Sequence, residues 1–248
     1  MRPVPSPSSA TEELAYGSDE DQQVSFGWPD SGRVPRGVVA LIHGGYWRSR
    51  YDASLMDPLA GSLRENGWMT ANIEYRRGRS NPWPAPLVDI RAALVLVRDY
   101  ARAKSVGGPR ISVGHSVGGQ LALLTAELTD GVVALAPVTD VGRTYREKLG
   151  EDAALEYFGA SPELAPSLYR EASPTQQPLS DTPLLILHGI NDDRVPISHS
   201  RDFMAVAQPQ VSRAELIEYE QLSHRDAIDP AAVHWSDALT WIAAITAS

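Results

Sequence analysis

The chain has no cysteine. That absence excludes disulfides, thiolate zinc sites and a cysteine nucleophile together, and it suits a reducing compartment. Positive charge is scarce as well: 22 lysines and arginines stand against 31 aspartates and glutamates, a formal charge of −9. A surface so biased repels phosphate backbones and anionic lipid, so neither nucleic acid nor membrane is an expected partner. Long apolar runs are missing too. Those at 38–42 and 94–97 fall far short of the roughly 20 residues that span a bilayer. The opening stretch, MRPVPSPSSATEE, carries one basic residue and alternating Pro and Ser in place of an apolar segment. Residues 1–13 therefore read as a flexible tail and not a signal peptide. The expectation is a cytoplasmic protein whose 248 residues bury a core unaided.

What is present is an alternation. Short β-like runs at 14–16 and 24–28 flank an acidic turn and suggest an antiparallel entry to a sheet. Residues 37–43 form a continuous apolar run bounded by glycine, as expected of a strand buried on both faces. Helical spacing at 53–64, a strand at 68–75, a helix at 87–104, a strand at 110–113 and a helix at 117–128 follow. Further on come strands at 132–136, 184–187 and 214–219, with helices at 198–207 and 231–247. Such alternation predicts an α/β fold: one domain over 14–248, a mostly parallel twisted sheet with helices on both faces. One stretch interrupts it. Residues 138–182 hold no strand, and an excursion of that length reads as a small lid over the site or as a surface insertion filling out the fold.

Four motifs carry chemistry. Gly114-His115-Ser116-Val117-Gly118 is a G-x-S-x-G between a strand and a helix. A nucleophilic serine needs such a tight turn, exposed above the sheet, and the Val117 N–H behind it can face a developing oxyanion. His43-Gly44-Gly45-Tyr46-Trp47 follows a buried strand, where glycine lets the main chain approach a scissile carbonyl. Gly45 and Tyr46 are the expected backbone donors there, and His43 is expected to brace the loop. His188-Gly189-Ile190-Asn191-Asp192-Asp193 ends another strand, with Asp192 the expected acid and Asp193 the runner-up. Ser223-His224-Arg225 lies between the last strand and the last helix. Of six histidines only His224 follows the acid on a strand-to-helix loop, while His199 and His234 fall on helical segments as surface or packing residues. The catalytic set is thus Ser116, Asp192 and His224, in that chain order. Trp47, Trp83 and Tyr145 are candidates to line an aromatic substrate pocket, though aromatics equally fill cores.

From about residue 16 onward the chain resembles the α/β-hydrolase superfamily. Its HGGYW stretch, with Tyr75-Arg76-Arg77 and Trp83-Pro84 beyond, looks like kynurenine formamidase (arylformamidase) and related bacterial carboxylesterases. The HGINDDRVP stretch resembles the acid loop of the prolyl-oligopeptidase and dienelactone-hydrolase groups. Against the former stands the lack of a preceding propeller to select peptides; against the latter, the missing cysteine. Val117 stands where the esterase branch more often has alanine. The resemblance implies a serine hydrolase that cleaves small carboxylic esters through an acyl-enzyme, without metal or organic cofactor. Arylformamidase activity is the sharpest alternative, and a catalytically silent hydrolase fold serving as a ligand receptor is an alternative of another class.

Overall fold

The computed structural model describes residues 11–29 and 34–246. Eight strands form one sheet: β1 (Thr11–Ala15), β2 (Gln23–Gly27), β3 (Val38–Ile42), β4 (Met69–Ile73), β5 (Arg110–His115), β6 (Gly131–Leu135), β7 (Leu184–Gly189) and β8 (Ala214–Tyr219). Their spatial order is β1-β2-β4-β3-β5-β6-β7-β8. β2 runs antiparallel to both β1 and β4, and every other pairing is parallel. Parallel strands need crossovers, and the sequence supplies helices for them: α1 (Asp57–Glu65), α2 (Ala85–Ala103), α3 (Val117–Leu124), α4 (Val141–Arg146), α5 (Leu149–Phe158), α6 (Pro166–Ala172), α7 (Ser198–Ala207) and α8 (Trp235–Ala243). This is the α/β-hydrolase fold.

The central strands are buried at nearly every position because both faces are covered, and the period of two sorts their side chains into two cores. Val38, Ala40 and Ile42 of β3 join Val132 and Ala134 of β6 in a core shared with α2, α3 and α7. Val39 and Leu41 join Val133 and Leu135 in a second core, closed by Leu59 and Leu63 of α1 and by Trp235, Trp241 and Ile242 of α8. Each fully buried Leu, Ile or Val contributes about 1.5–3 kcal/mol relative to exposure, so this two-sided burial fixes the sheet. Among the described residues no helix is long and apolar enough to cross a membrane.

Several expected boundaries shift. The tail expected at 1–13 lies outside the described residues as far as residue 10, and from Thr11 the chain is already strand, paired from Thr11↔Gly27 to Ala15↔Gln23. That edge strand exposes most of its side chains, so backbone pairing and not apolar alternation defines it. The segment expected as helix from residue 53 opens as a 3-10 turn, with Asp52 accepting from the Ser54 N–H, before α1 begins. α2 starts earlier than expected, since proline is tolerated in a first helical turn. The helix expected over 117–128 ends at Leu124 and is followed by a separate 3-10 turn. α8 starts at Trp235 and not 231, because the Asp229 side chain captures the Ala231 N–H in a local turn. Of the surface and packing roles expected for His199 and His234, burial of both side chains leaves packing. The strandless excursion between β6 and β7 folds as α4, α5, α6 and a short 3-10 turn.

Candidate active site

The parallel register brings the C-terminal ends of β3, β5, β7 and β8 to one edge of the sheet, where an open α/β sheet presents its loops. β5 ends at His115 and α3 begins at Val117, leaving Ser116 to make the whole turn at φ 56°, ψ −115°. That conformation is costly for a side-chain-bearing residue, roughly 1–3 kcal/mol. Three backbone hydrogen bonds hold it: Ser116 N–H donates to Leu135 O at 2.9 Å, and Ser116 O accepts from Gln120 and Val138. The flanking glycines are required by contact: a Cβ on Gly114 would stand 2.2 Å from Gly118 O, and one on Gly118 would stand 2.0 Å from Ile42 O. Ser116 is 2 % exposed, so the expected open turn is in fact covered. The cover is the loop after β3: a Cβ on Gly44 would sit 2.9 Å from Ser116 Cβ.

That loop is itself under strain, with positive φ at Gly45 (119°), Tyr46 (52°) and Trp47 (58°). Among the described residues the main-chain N–H groups of Gly45 and Tyr46 find no protein acceptor, which leaves them available to an oxyanion. Side chains over-determine the strained path. Tyr46 Oη donates to Arg194 O at 2.7 Å, and Trp47 Nε1 donates to Gln120 Oε1 at 3.1 Å. Burial, then the neighbouring Asp192 charge, pushes the Tyr46 hydroxyl up to about 12, so it stays a donor. His43 braces the loop as expected. Its ring stacks on Tyr75 at 4.4 Å, with Nδ1 2.7 Å from Gly44 O and Nε2 3.2 Å from the Glu74 carboxylate. Tyr75 Oη donates to His43 O at 2.8 Å, and Glu74 also accepts from Ala53 N–H and Arg77.

Asp192 follows β7 and is almost wholly buried. Its Oδ1 accepts from the Arg194 and Val195 N–H groups at 2.8 and 2.9 Å, and its Oδ2 accepts from His224 Nδ1 at 2.8 Å. Burial alone would raise this carboxyl. Hydrogen bonds from His188 and His224, the His224 charge and the Val195 N–H outweigh that and hold it far below the usual carboxylate range. Asp193, by contrast, points to solvent with its side chain 74 % exposed. The geometry therefore joins His224 to Asp192 and not to Asp193.

His115, the variable position of the serine motif, has a role that the motif does not signal: its Nε2 lies 3.0 Å from His224 O. A carbonyl only accepts, so Nε2 carries the proton. Burial, then the adjacent His224, pushes His115 down to about 3, which keeps it neutral. Its buried Nδ1 has no partner, as fits the unprotonated nitrogen. Gln120 carries no sequence signal either: fully buried on α3, it accepts from Trp47 and donates through Nε2 to Ala172 O at 2.6 Å, joining the loop to the end of α6.

The three aromatic candidates separate. Trp47 stacks on Tyr157 at 5.6 Å and lies across Phe158, while Trp83 meets Phe158 at 6.1 Å. Tyr145 packs edge-on against Tyr169, which in turn packs on Phe158 at 4.9 Å, so Tyr145 joins the same cluster one ring further out. Trp47 borders a cavity of about 520 Å³, but neither Trp83 nor Tyr145 lines it. The aromatics instead fill the contact between the 138–182 segment and the sheet domain, burying their faces against one another.

Known proteins agree with this architecture. Residues 26–131 match the family described as BD-FAE, and residues 97–245 match the prolyl oligopeptidase family. The esterase LipC of Mycobacterium tuberculosis is 28% identical over 244 residues, covering 82% of this chain and 57% of that protein. The probable carboxylic ester hydrolase LipM of the same organism is 28% identical over 207 residues, covering 73% of this chain and 46% of that protein. The chain thus spans about half the length of the curated relatives it matches. Among solved structures, a truncated carbohydrate esterase from gut microbiota superposes with a TM-score of 0.81 at 18% identity, covering 97% of both chains. A bacterial heroin esterase superposes at 0.74 with 21% identity, covering 95% of this chain and 83% of that one. The family match extends over more than half of the sequence and takes in β5 onward, including the serine turn, the acid loop and the His224 loop; the chain belongs to the prolyl oligopeptidase family.

Proposed function

We propose that the protein is a serine hydrolase of small carboxylic esters, with Ser116 as nucleophile, His224 as base and Asp192 as the orienting acid. The observation that carries this reading is the strained Ser116 turn, held beneath a loop whose Gly45 and Tyr46 N–H groups have no protein acceptor. Strain of this kind persists only where surrounding structure enforces it, and it gathers at reactive sites. The Asp192–His224 hydrogen bond supports it from the other side, since a buried carboxylate on Nδ1 fixes the tautomer that leaves Nε2 free to take a proton. The curated relatives LipC and LipM, described as an esterase and a probable carboxylic ester hydrolase, favour esters over peptides.

In this reading His224 Nε2 removes the Ser116 proton as Oγ attacks the ester carbonyl. The oxyanion is held by the N–H of Val117, which has no intrahelical partner at the start of α3, and by those of Gly45 and Tyr46. His224 returns the proton to the leaving alkoxide, then activates the water that releases the acid. The 138–182 segment acts as a cap, pinned to the oxyanion loop by Trp47 on Tyr157 and by Arg48, which donates to Glu156 and to Gly150 O.

The test is covalent labelling by a fluorophosphonate together with turnover of aryl acetates. Labelling that disappears in Ser116→Ala, with turnover lost in parallel, is expected. A silent receptor would neither label nor turn over, and that result defeats the proposal. Including N-formylkynurenine among the substrates reads the formamidase activity directly.

A further inference from the structure

The cavity bordering the oxyanion loop carries a charge pattern at odds with the rest of the chain. Its lining brings together Arg48 and Arg50 of that loop, Arg79 of the loop after β4, and Glu151 and Glu156 of the cap. Arg48 is committed: it donates to Glu156 at 2.9 and 2.8 Å, and the pair cancels. Among the described residues Arg50 donates only to Tyr51 Oη, at 3.3 Å, and lies over that ring. Arg79 is exposed and has no ion pair or hydrogen bond among the described residues. Glu151 likewise has no ion-pair partner among them. Two uncommitted guanidiniums against one uncommitted carboxylate leave the cavity with an excess of one positive charge, in a chain whose formal charge is −9.

The position matters as much as the charge. Tyr46 and Trp47 form part of the wall, and Gly44 lies against Ser116. Two Cα steps separate Gly44 from Tyr46, at most ~7.6 Å of chain. Gly78 N–H donates to Trp47 O at 2.8 Å, which ties the Arg79 loop to the oxyanion loop. The cavity wall and the cover of Ser116 are thus built from neighbouring residues of one loop.

We propose that this cavity is a subsite for a single carboxylate borne by the ester substrate, held by Arg79 and Arg50. A guanidinium offers a planar fork that matches a carboxylate, and Glu151 tunes the excess to one charge, so that neutral and cationic esters bind less well. The assignment rests on the esterase reading above.

Two matched ester pairs test it: an aryl hemiglutarate against the aryl butyrate, and 4-acetoxybenzoate against its methyl ester. At low ionic strength the wild-type protein should favour the charged member of at least one pair by about two- to fivefold in kcat/KM, the size expected of an exposed charge contact. Arg79→Gln should collapse that ratio and Glu151→Gln should enlarge it. Salt at about 0.5 M should compress it as the screening length shortens. Absence of any charge preference in both pairs, or a ratio that survives Arg79→Gln, overturns the subsite. Turnover of the neutral members reports on the esterase reading separately. Should no ester turn over, ligand-observed NMR on Ser116→Ala protein still decides: monomethyl glutarate should bind and dimethyl glutarate should not, with the difference lost on adding Arg79→Gln. Equal behaviour of the two would overturn the proposal.

Discussion

His115 Nε2 donates to the main-chain carbonyl of His224 at 3.0 Å, so the residue beside the proposed nucleophile holds the loop that carries the proposed base. The two rings lie 4.6 Å apart, and His115 stays neutral because burial opposes its protonation. The Ser116 turn and the His224 loop are thereby registered to each other by one side chain, independently of Asp192.

His115 is accordingly a positioning residue. His115→Phe keeps a flat, buried ring but removes the donor and leaves His224 O unpaired. Loss of this part-buried hydrogen bond costs about 0.5–1.5 kcal/mol, and a loosened base should lower kcat by about 10- to 100-fold with a small change in KM. His115→Gln, which can still reach a carbonyl, should recover part of kcat. Steady-state kinetics on both variants checks this, and equal loss in the two would reduce His115 to a packing residue.

The Ser116 turn yields a paired prediction. Ser116→Ala should lower kcat by about 10³- to 10⁶-fold with little change in melting temperature, because alanine inherits the same strained φ. Ser116→Gly should be equally inactive but more stable, by about 1 kcal/mol, since glycine adopts φ 56° without penalty. At this chain length that corresponds to a rise of ~2–4 °C. Calorimetry on the two variants separates relief of strain from loss of the hydroxyl.

The central strands are readable because burial on both faces leaves mostly apolar runs, and β3, β6 and β7 fall within a residue or two of the expected bounds. β1 was read only in part, since an edge strand with exposed Thr11, Glu12 and Glu13 owes its form to its partner and not to a core. The cap helices α4 to α6 were invisible individually: they are short, and one carries left-handed residues from Gly150 to Asp152 that no periodicity foretells. Aromatic identity likewise said nothing of whether Trp83 or Tyr145 lines a cavity or fills a core. No local pattern signals His115 or Gln120, whose hydrogen bonds reach partners distant in sequence: the His224 carbonyl 109 residues away, the Trp47 indole 73 away and the Ala172 carbonyl 52 away.

The acid loop separates its two aspartates by environment. Asp192→Asn should cost kcat orders of magnitude, because an amide can present its NH₂ to Nδ1 and reverse the imidazole tautomer. Asp193→Asn, at a solvent-facing side chain, should cost less than about threefold. Stability also responds to pH. A carboxyl whose folded pKa is depressed below its unfolded value of 3.8 stabilises the fold above that pH and ceases to do so as the pH falls. Melting temperature should therefore drop on acidification below about pH 4 in the wild type, and the drop should be shallower in Asp192→Asn. An identical acid limb in both proteins would contradict this account of the carboxylate.

Gln120 tests whether the cap and the oxyanion loop are coupled. It is fully buried, and its amide satisfies Trp47 Nε1 on one side and Ala172 O on the other. Gln120→Leu conserves most of the volume yet orphans a buried donor and a buried acceptor at once, at about 1–3 kcal/mol each. Melting temperature should fall by roughly 4–24 °C, given ~2–4 °C per kcal/mol at this size. The kinetic consequence is the sharper readout. Trp47 sits at φ 58°, and without its indole anchored the strained 45–47 path loses one of its restraints. The Gly45 and Tyr46 N–H groups would then be held less firmly where negative charge develops, lowering kcat for aryl acetates by about 10-fold or more. Gln120→Glu keeps the acceptor for Trp47 but loses the donor to Ala172. It should therefore retain more of kcat than Gln120→Leu at a comparable loss of stability. If the two variants lose stability and activity in the same proportion, Gln120 is a core residue whose removal loosens the whole domain, and the coupling through Trp47 is not the cause.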